Sequence, residues 1–142
     1  MIFDSVTIIG IKQLLIVNEI FFSIQGESSY AGLPCIFIRL TGCNLRCSYC
    51  DTKYAFSAGQ EKTAAEILGI IRQYKCNLVE ITGGEPLEQE ECPRLASFLL
   101  EKGYIVLVET NGSHDIDILP QGCVRIMDVK CPSSGMLEYN HL

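Results

Sequence analysis

Four apolar, strand-like runs separated by helical patterns constrain this chain most: Cys35 to Thr41, Leu78 to Thr82, Tyr104 to Glu109 and Val124 to Lys130. Such alternation reads as successive βα units, and therefore as a mainly parallel sheet covered by helices. Between the first two runs, Thr63 and Glu66 form a capping box, and Ala64, Ile67, Leu68, Ile71 and Tyr74 follow at helical spacing. Between the second and third, Leu95, Ala96, Leu99 and Leu100 repeat that spacing, with Pro93 near the first turn and Gly103 as a stop signal. The third crossover, NGSHDIDILPQG, is too short for a full helix. Met1 to Asn18 reads as an N-terminal extension, either an extra strand or a mobile end.

Alternation along each strand assigns its faces. Ile36, Ile38 and Leu40 point one way, and Cys35, Phe37, Arg39 and Thr41 the other. Arg39 is costly to bury unpaired, so its face is expected to line a polar cavity. Val79 and Ile81 oppose Glu80 and Thr82 in the second run, and Asp128 and Lys130 share a face in the fourth. Polar residues on like faces of neighbouring strands describe the inside of an open barrel. The expected fold is therefore α/β, a partial (βα) barrel of about four units forming a single domain over residues 1–142. Ligands of such folds bind at the carboxyl ends of the strands, which here carry GCNLRC, TGGEP, ETNG and DVKCPSSG.

Composition narrows the function classes. At 48% hydrophobic and 20% charged residues the chain is globular rather than disordered. A net charge of -6 without a basic stripe argues against nucleic acid or an anionic membrane as partner. The apolar start, MIFDSVTIIGIKQLLIV, has no basic leader and carries Asp4 and Lys12, so neither a signal peptide nor a membrane span fits and the cytoplasm is the expected compartment. There, eight cysteines are ligands or free thiols before they are a disulfide framework.

Cys43, Cys47 and Cys50 follow C-x3-C-x2-C in the loop after the first strand. Three thiolates can wrap one cluster corner and leave one iron of a 4Fe-4S cube without a protein ligand. Structural clusters and structural zinc take four protein ligands, whereas catalytic sites keep a position open. A zinc reading needs His114, His141 or one of Cys35, Cys76, Cys92, Cys123 and Cys131 as fourth ligand, and none is spaced as a second C-x2-C pair. ITGGEP, residues 81–86, either lets backbone approach a ligand or is simply a tight βα turn. DVKCPSSG, residues 128–135, is likewise either a ligand-facing strand end or an Asp128 to Lys130 ion pair followed by a turn.

The three cysteines, with Tyr49 before the last, resemble the cluster motif of the radical S-adenosylmethionine (SAM) superfamily, and TGGEP resembles its glycine motif. The resemblance implies a 4Fe-4S cluster on Cys43, Cys47 and Cys50, SAM bound to the open iron, and reductive cleavage of SAM to a 5'-deoxyadenosyl radical. It also implies that the glycine-loop backbone and Glu85 meet the methionine amino group.

NEIFFSIQGES, residues 18–28, reads by itself as an edge strand followed by a polar turn. Together with GLPCIFIRLTGCNLRCSYCDT, ITGGEP, ETNG and DVKCPSSGM, it resembles the 7-carboxy-7-deazaguanine synthase family of queuosine and deazapurine biosynthesis. Members convert 6-carboxy-5,6,7,8-tetrahydropterin into 7-carboxy-7-deazaguanine with release of ammonia, regenerate SAM, and use Mg2+. Position by position, the resemblance implies substrate contacts at Ile24, Gln25, Gly26, Arg39 and Thr82, with Arg39 on the substrate carboxylate. It implies SAM contacts at Gly84, Asp128, Val129 and Lys130, with Glu109 and Asn111 beside them, and Mg2+ on Thr52. A homodimer and a flavodoxin or ferredoxin as reductant come with the family. Its members continue past the fourth strand, so the later part of the family fold is expected to be absent here. Two other readings remain: an activase for a glycyl-radical enzyme, and a non-catalytic zinc or iron-sulfur module.

Overall fold

The computed structural model describes residues 13–141, which form one six-stranded mixed sheet with two α-helices. In chain order the elements are β1 (Leu14–Ile24), β2 (Pro34–Leu40), β3 (Gln60–Thr63), α1 (Ala64–Ile71), β4 (Leu78–Gly83), α2 (Cys92–Glu101), β5 (Ile105–Thr110) and β6 (Val124–Met127). Their order across the sheet is β3-β1-β2-β4-β5-β6. The strands β2, β4, β5 and β6 are parallel, and β1 runs antiparallel to both β2 and β3. The expected α/β partial barrel is thus present, with the sheet left open.

One face of the sheet is the main core. Ile36, Ile38, Leu40, Val79, Ile81, Val106 and Val108 pack against Ile67, Leu68 and Ile71 of α1 and Leu95, Ala96 and Leu99 of α2. Each large aliphatic side chain buried there stabilises the fold by roughly 1.5–3 kcal/mol. The capping box starts α1, with Thr63 Oγ1 accepting from Glu66 N and Glu66 Oε2 accepting from Thr63 N. Pro93 sits in the first turn of α2, and Gly103, at φ 88°, follows its end. Cys35, Leu78 and Leu107 close the bottom of the opposite, concave face. Above them that face carries Arg39, Glu80, Thr82 and Glu109 toward the site.

One detail departs from the expected pattern. The fourth run stops at Met127, and Asp128 to Lys130 leave the sheet, because the last ladder contact is Asp128 N to Thr110 O and Asn140 then holds the Lys130 backbone. NEIFFSI is an edge as expected: Glu19 to Ile24 pair with β2 alone, and β3 joins β1 only at Leu14 to Val17. The extra strand allowed for in residues 1–18 exists from Leu14, and the rest of that extension, 1–12, lies outside the described residues.

Candidate active site

The loops after β2 and β4 meet backbone to backbone. Gly42 turns with φ 104°, and its carbonyl accepts from Glu85 N at 2.8 Å. A Cβ on Gly84 would stand 2.0 Å from that same carbonyl oxygen, so only glycine fits. The glycine pair of TGGEP therefore serves first to let the glycine loop reach the cysteine loop. Glu85 completes the junction. It is fully buried, and its carboxylate accepts from Leu87 N (2.9 Å), Thr110 Oγ1 (2.8 Å) and Asn111 N (2.6 Å). Burial raises its pKa against the pull of those donors. Glu85 thus staples the glycine loop to the end of β5.

A cavity of about 480 Å³ opens above the concave face, within the range of small-molecule sites. It gathers Cys43, Cys47, Cys50 and Thr52 from the cysteine loop, Ile24, Gln25 and Gly26 from the end of β1, and Arg39, Thr82, Gly84, Asp128 and Lys130. Glu109 and Asn111 also line it. Val129, whose side chain is half exposed, is not among the lining residues.

Each of the three thiols is half-buried, and all eight cysteines are free. Burial pushes the Cys43 thiol up, and Asn111 Nδ2 donates to its sulfur at 3.9 Å. Arg46 holds the loop from below, donating to the carbonyls of Cys43 and Leu45 and stacking on Phe56 at 4.1 Å. Three soft donors around one roomy cavity are the donor chemistry of an iron-sulfur cluster, while among the described residues no three Cys, His, Asp or Glu side chains are already gathered as a metal-ion site.

Arg39 is aimed by its neighbours. Its Nε donates to Glu19 Oε1 at 2.8 Å and Nη1 to Gly83 O at 2.9 Å, while Tyr54 Oη donates to the same Glu19 oxygen. The guanidinium also lies against the rings of Phe21 and Tyr54. Pinned on these edges, it presents its remaining N–H donors to the cavity, a geometry suited to a carboxylate. Gln25 N donates to Leu33 O at 2.8 Å and Gln25 O accepts from Gly32 N at 2.7 Å, so the backbone of this residue is engaged within its own turn. Thr52 Oγ1 donates to Asp51 Oδ1 at 2.6 Å, and both residues line the cavity. Asp51 was not singled out in the sequence, although a carboxylate beside a hydroxyl is the signal of a hard-oxygen pair.

Glu80 is the other addition. It is 2% exposed and accepts from Gln25 Nε2, whose Oε1 accepts from Glu27 N. Burial, then its hydrogen bond with Glu109, pushes Glu80 from 4.5 up to about 8. Glu27 is also held up, chiefly by the negative charge of Glu109. An acid raised in the folded state favours folding below its unfolded pKa and loses that advantage as pH climbs to the folded value. Wild-type stability should therefore fall between pH 4.5 and about 8. Glu80→Gln, which cannot ionise, should flatten most of that decline. Urea midpoints of both proteins across the window check this, and parallel curves would refute it.

The model of the radical SAM superfamily matches residues 37–127. A 7-carboxy-7-deazaguanine synthase of Koribacter versatilis is 50% identical over 121 residues, covering 84% of this chain and 54% of that protein. One of Thermoplasma acidophilum is 44% identical over 126 residues, covering 87% of this chain and 60% of the relative. The crystal structure of QueE from Escherichia coli superposes with a TM-score of 0.72 at 28% identity, over 79% of this chain and 59% of that one. The chain spans a little over half the length of the curated relatives it matches. A cysteine loop locked against a glycine loop above the concave face of an open α/β barrel thus coincides with a family match across most of the sheet, and the chain belongs to the radical SAM superfamily.

Proposed function

We propose that this chain carries the cluster-binding and much of the substrate-binding portion of a radical SAM lyase that converts 6-carboxy-5,6,7,8-tetrahydropterin into 7-carboxy-7-deazaguanine with release of ammonia, in queuosine and deazapurine biosynthesis. The supporting observation is one cavity that joins three thiols to a guanidinium aimed by Glu19 and Gly83, in a chain whose relatives bear that synthase name. A 4Fe-4S cluster on Cys43, Cys47 and Cys50, with SAM, supplies reductive cleavage to a hydrogen-abstracting carbon radical.

The other side chains bind and orient. Arg39 takes the pterin carboxylate, while Ile24, Gln25, Gly26 and Thr82 frame the ring. Gly84, Asp128, the Val129 backbone and Lys130 hold SAM, and the Lys130 to Asp128 ion pair at 2.5 Å fixes that strand end. Thr52, with Asp51 beside it, offers hard oxygen to Mg2+. A flavodoxin or ferredoxin serves as reductant, and the working state is a cytoplasmic homodimer. No helix among the described residues is long and apolar enough to cross a membrane.

The test is anaerobic reconstitution with iron and sulfide, followed by SAM, reductant, Mg2+ and the pterin. Ammonia and the deazaguanine are the expected products. A reconstituted cluster that cleaves SAM with no response to the pterin would overturn the substrate assignment.

Arg39→Ala should weaken pterin binding about 10- to 150-fold, the loss of a charge-assisted hydrogen-bonded pair of about 1.5–3 kcal/mol. SAM binding should stay within about twofold. Calorimetry with each ligand separates the two, and loss of the cluster in this variant would contradict the assignment. Arg39→Lys should recover little, since an ammonium lacks the planar fork.

A further inference from the structure

The turn that follows Asp128 to Lys130 is tied directly to the second half of the cysteine loop. Ser48 N donates to Ser134 O at 3.0 Å, and Ser48 Oγ donates to Ser133 O at 2.6 Å. Tyr49 Oη lies 3.3 Å from Cys131 Sγ, which in turn lies 3.1 Å from Ser133 Oγ. All of these contacts fall between Cys47 and Cys50 on one side and within residues 131–134 on the other. The turn is itself built to hold still. Ser134 Oγ donates to Cys131 O and accepts from Met136 N, and Gly135 takes φ 74° after it. On its upstream side, Asn140 brackets Lys130, accepting from its N and donating to its O, both at 2.8 Å.

The first half of the cysteine loop has different anchors. Asn44 Nδ2 donates to Ser113 Oγ, Asn44 Oδ1 accepts from Asn111 Nδ2, and Arg46 grips the carbonyls of Cys43 and Leu45. Ser48 and Tyr49 supply the direct hydrogen bonds that join the Cys47 to Cys50 stretch to the 131–134 turn.

We propose that Ser48, Tyr49 and Cys131 form a latch that positions Cys47 and Cys50 relative to Asp128 and Lys130, so that the cluster loop and the SAM-contacting strand end are held as one unit. The three are positioning residues, and the proposal rests on the cluster and SAM reading above. Cys131 acts in it as a hydrogen-bond partner, so serine, which can accept and donate in the same place, should substitute for it.

The test uses the reconstituted chain and reads the rate of iron release to a chelator and the change that SAM produces in the electron paramagnetic resonance spectrum of the reduced cluster. The double variant Ser48→Ala/Tyr49→Phe should release iron about 5- to 10-fold faster and lose most of the SAM-dependent spectral change. Cys131→Ala should do so by about 2- to 3-fold, and Cys131→Ser should behave as wild type. Amide hydrogen exchange, which needs no cluster, should show peptides spanning 43–52 and 128–136 exchanging faster together in the double variant. Wild-type release rates, spectra and exchange in both Cys131→Ala and the double variant would overturn the latch. Failure of the wild-type chain to take up any cluster would instead overturn the cluster reading and the latch with it.

Discussion

Cys43→Ala, Cys47→Ala and Cys50→Ala should each yield a folded protein without its iron-sulfur cluster and with turnover below detection. The three side chains sit on a loop beside the cavity and none belongs to the buried core, so their removal leaves the sheet and helices intact. Three ligands are the minimum that can carry the cube while leaving one iron open, and a site reduced to two thiols no longer holds it. Visible absorption and iron content after reconstitution read the loss, and circular dichroism confirms the fold. Retention of wild-type iron in any one variant would mean that the named cysteine is not a ligand. The same changes at Cys35, Cys92 and Cys123, which are buried in the apolar interior, should leave the cluster in place and cost packing instead.

Glu85→Ala should be the most destabilising single change among the residues described, by about 3–5 kcal/mol. It removes one carboxylate that satisfies Leu87 N, Thr110 Oγ1 and Asn111 N at once, and it leaves those donors buried without their acceptor. The effect should reach the site, because the Glu85 N to Gly42 O bond joins the same residue to the cysteine loop. Glu85→Gln should keep part of the stability, since its amide oxygen still accepts while its NH2 faces donors. Urea denaturation gives the energies, and a loss under about 1 kcal/mol in Glu85→Ala would show that water or a rearranged loop replaces the carboxylate.

Much of this was legible in the sequence because central parallel strands, covered on one face and lining a cavity on the other, write both facts into alternate positions. The runs at 35–41, 78–82 and 104–109 match β2, β4 and β5 to within a residue at each end. The capping box at Thr63 and Glu66 marked α1 because its two hydrogen bonds are local in sequence. What stayed hidden is contact between distant segments. β3 is the four polar residues QEKT, ordered by pairing with Leu14 to Val17, and carries no apolar signal of its own. The fourth strand was read three residues too long, since Asp128 and Lys130 keep the alternation while leaving the ladder.

The same distinction holds at the site. The cysteines, TGGEP and DVKCPSSG announce themselves by spacing. The Glu80 to Gln25 bond crosses 55 positions, and the triple use of Glu85 becomes visible only when the β4 and β5 loops stand side by side. The glycines of TGGEP were read as a close backbone approach or a tight turn, and the structure adds that the carbonyl of Gly42 stands where a Cβ at 84 would be.

The proposed function stands or falls with a three-ligand iron-sulfur cluster on Cys43, Cys47 and Cys50 that leaves one iron for SAM. Metal and acid-labile sulfide analysis of the anaerobically reconstituted wild-type chain tests it most directly, joined to electron paramagnetic resonance of the reduced sample with and without SAM. About four iron and about four sulfide per chain are expected, with a spectrum that SAM changes. One zinc per chain with neither iron nor sulfide would contradict it.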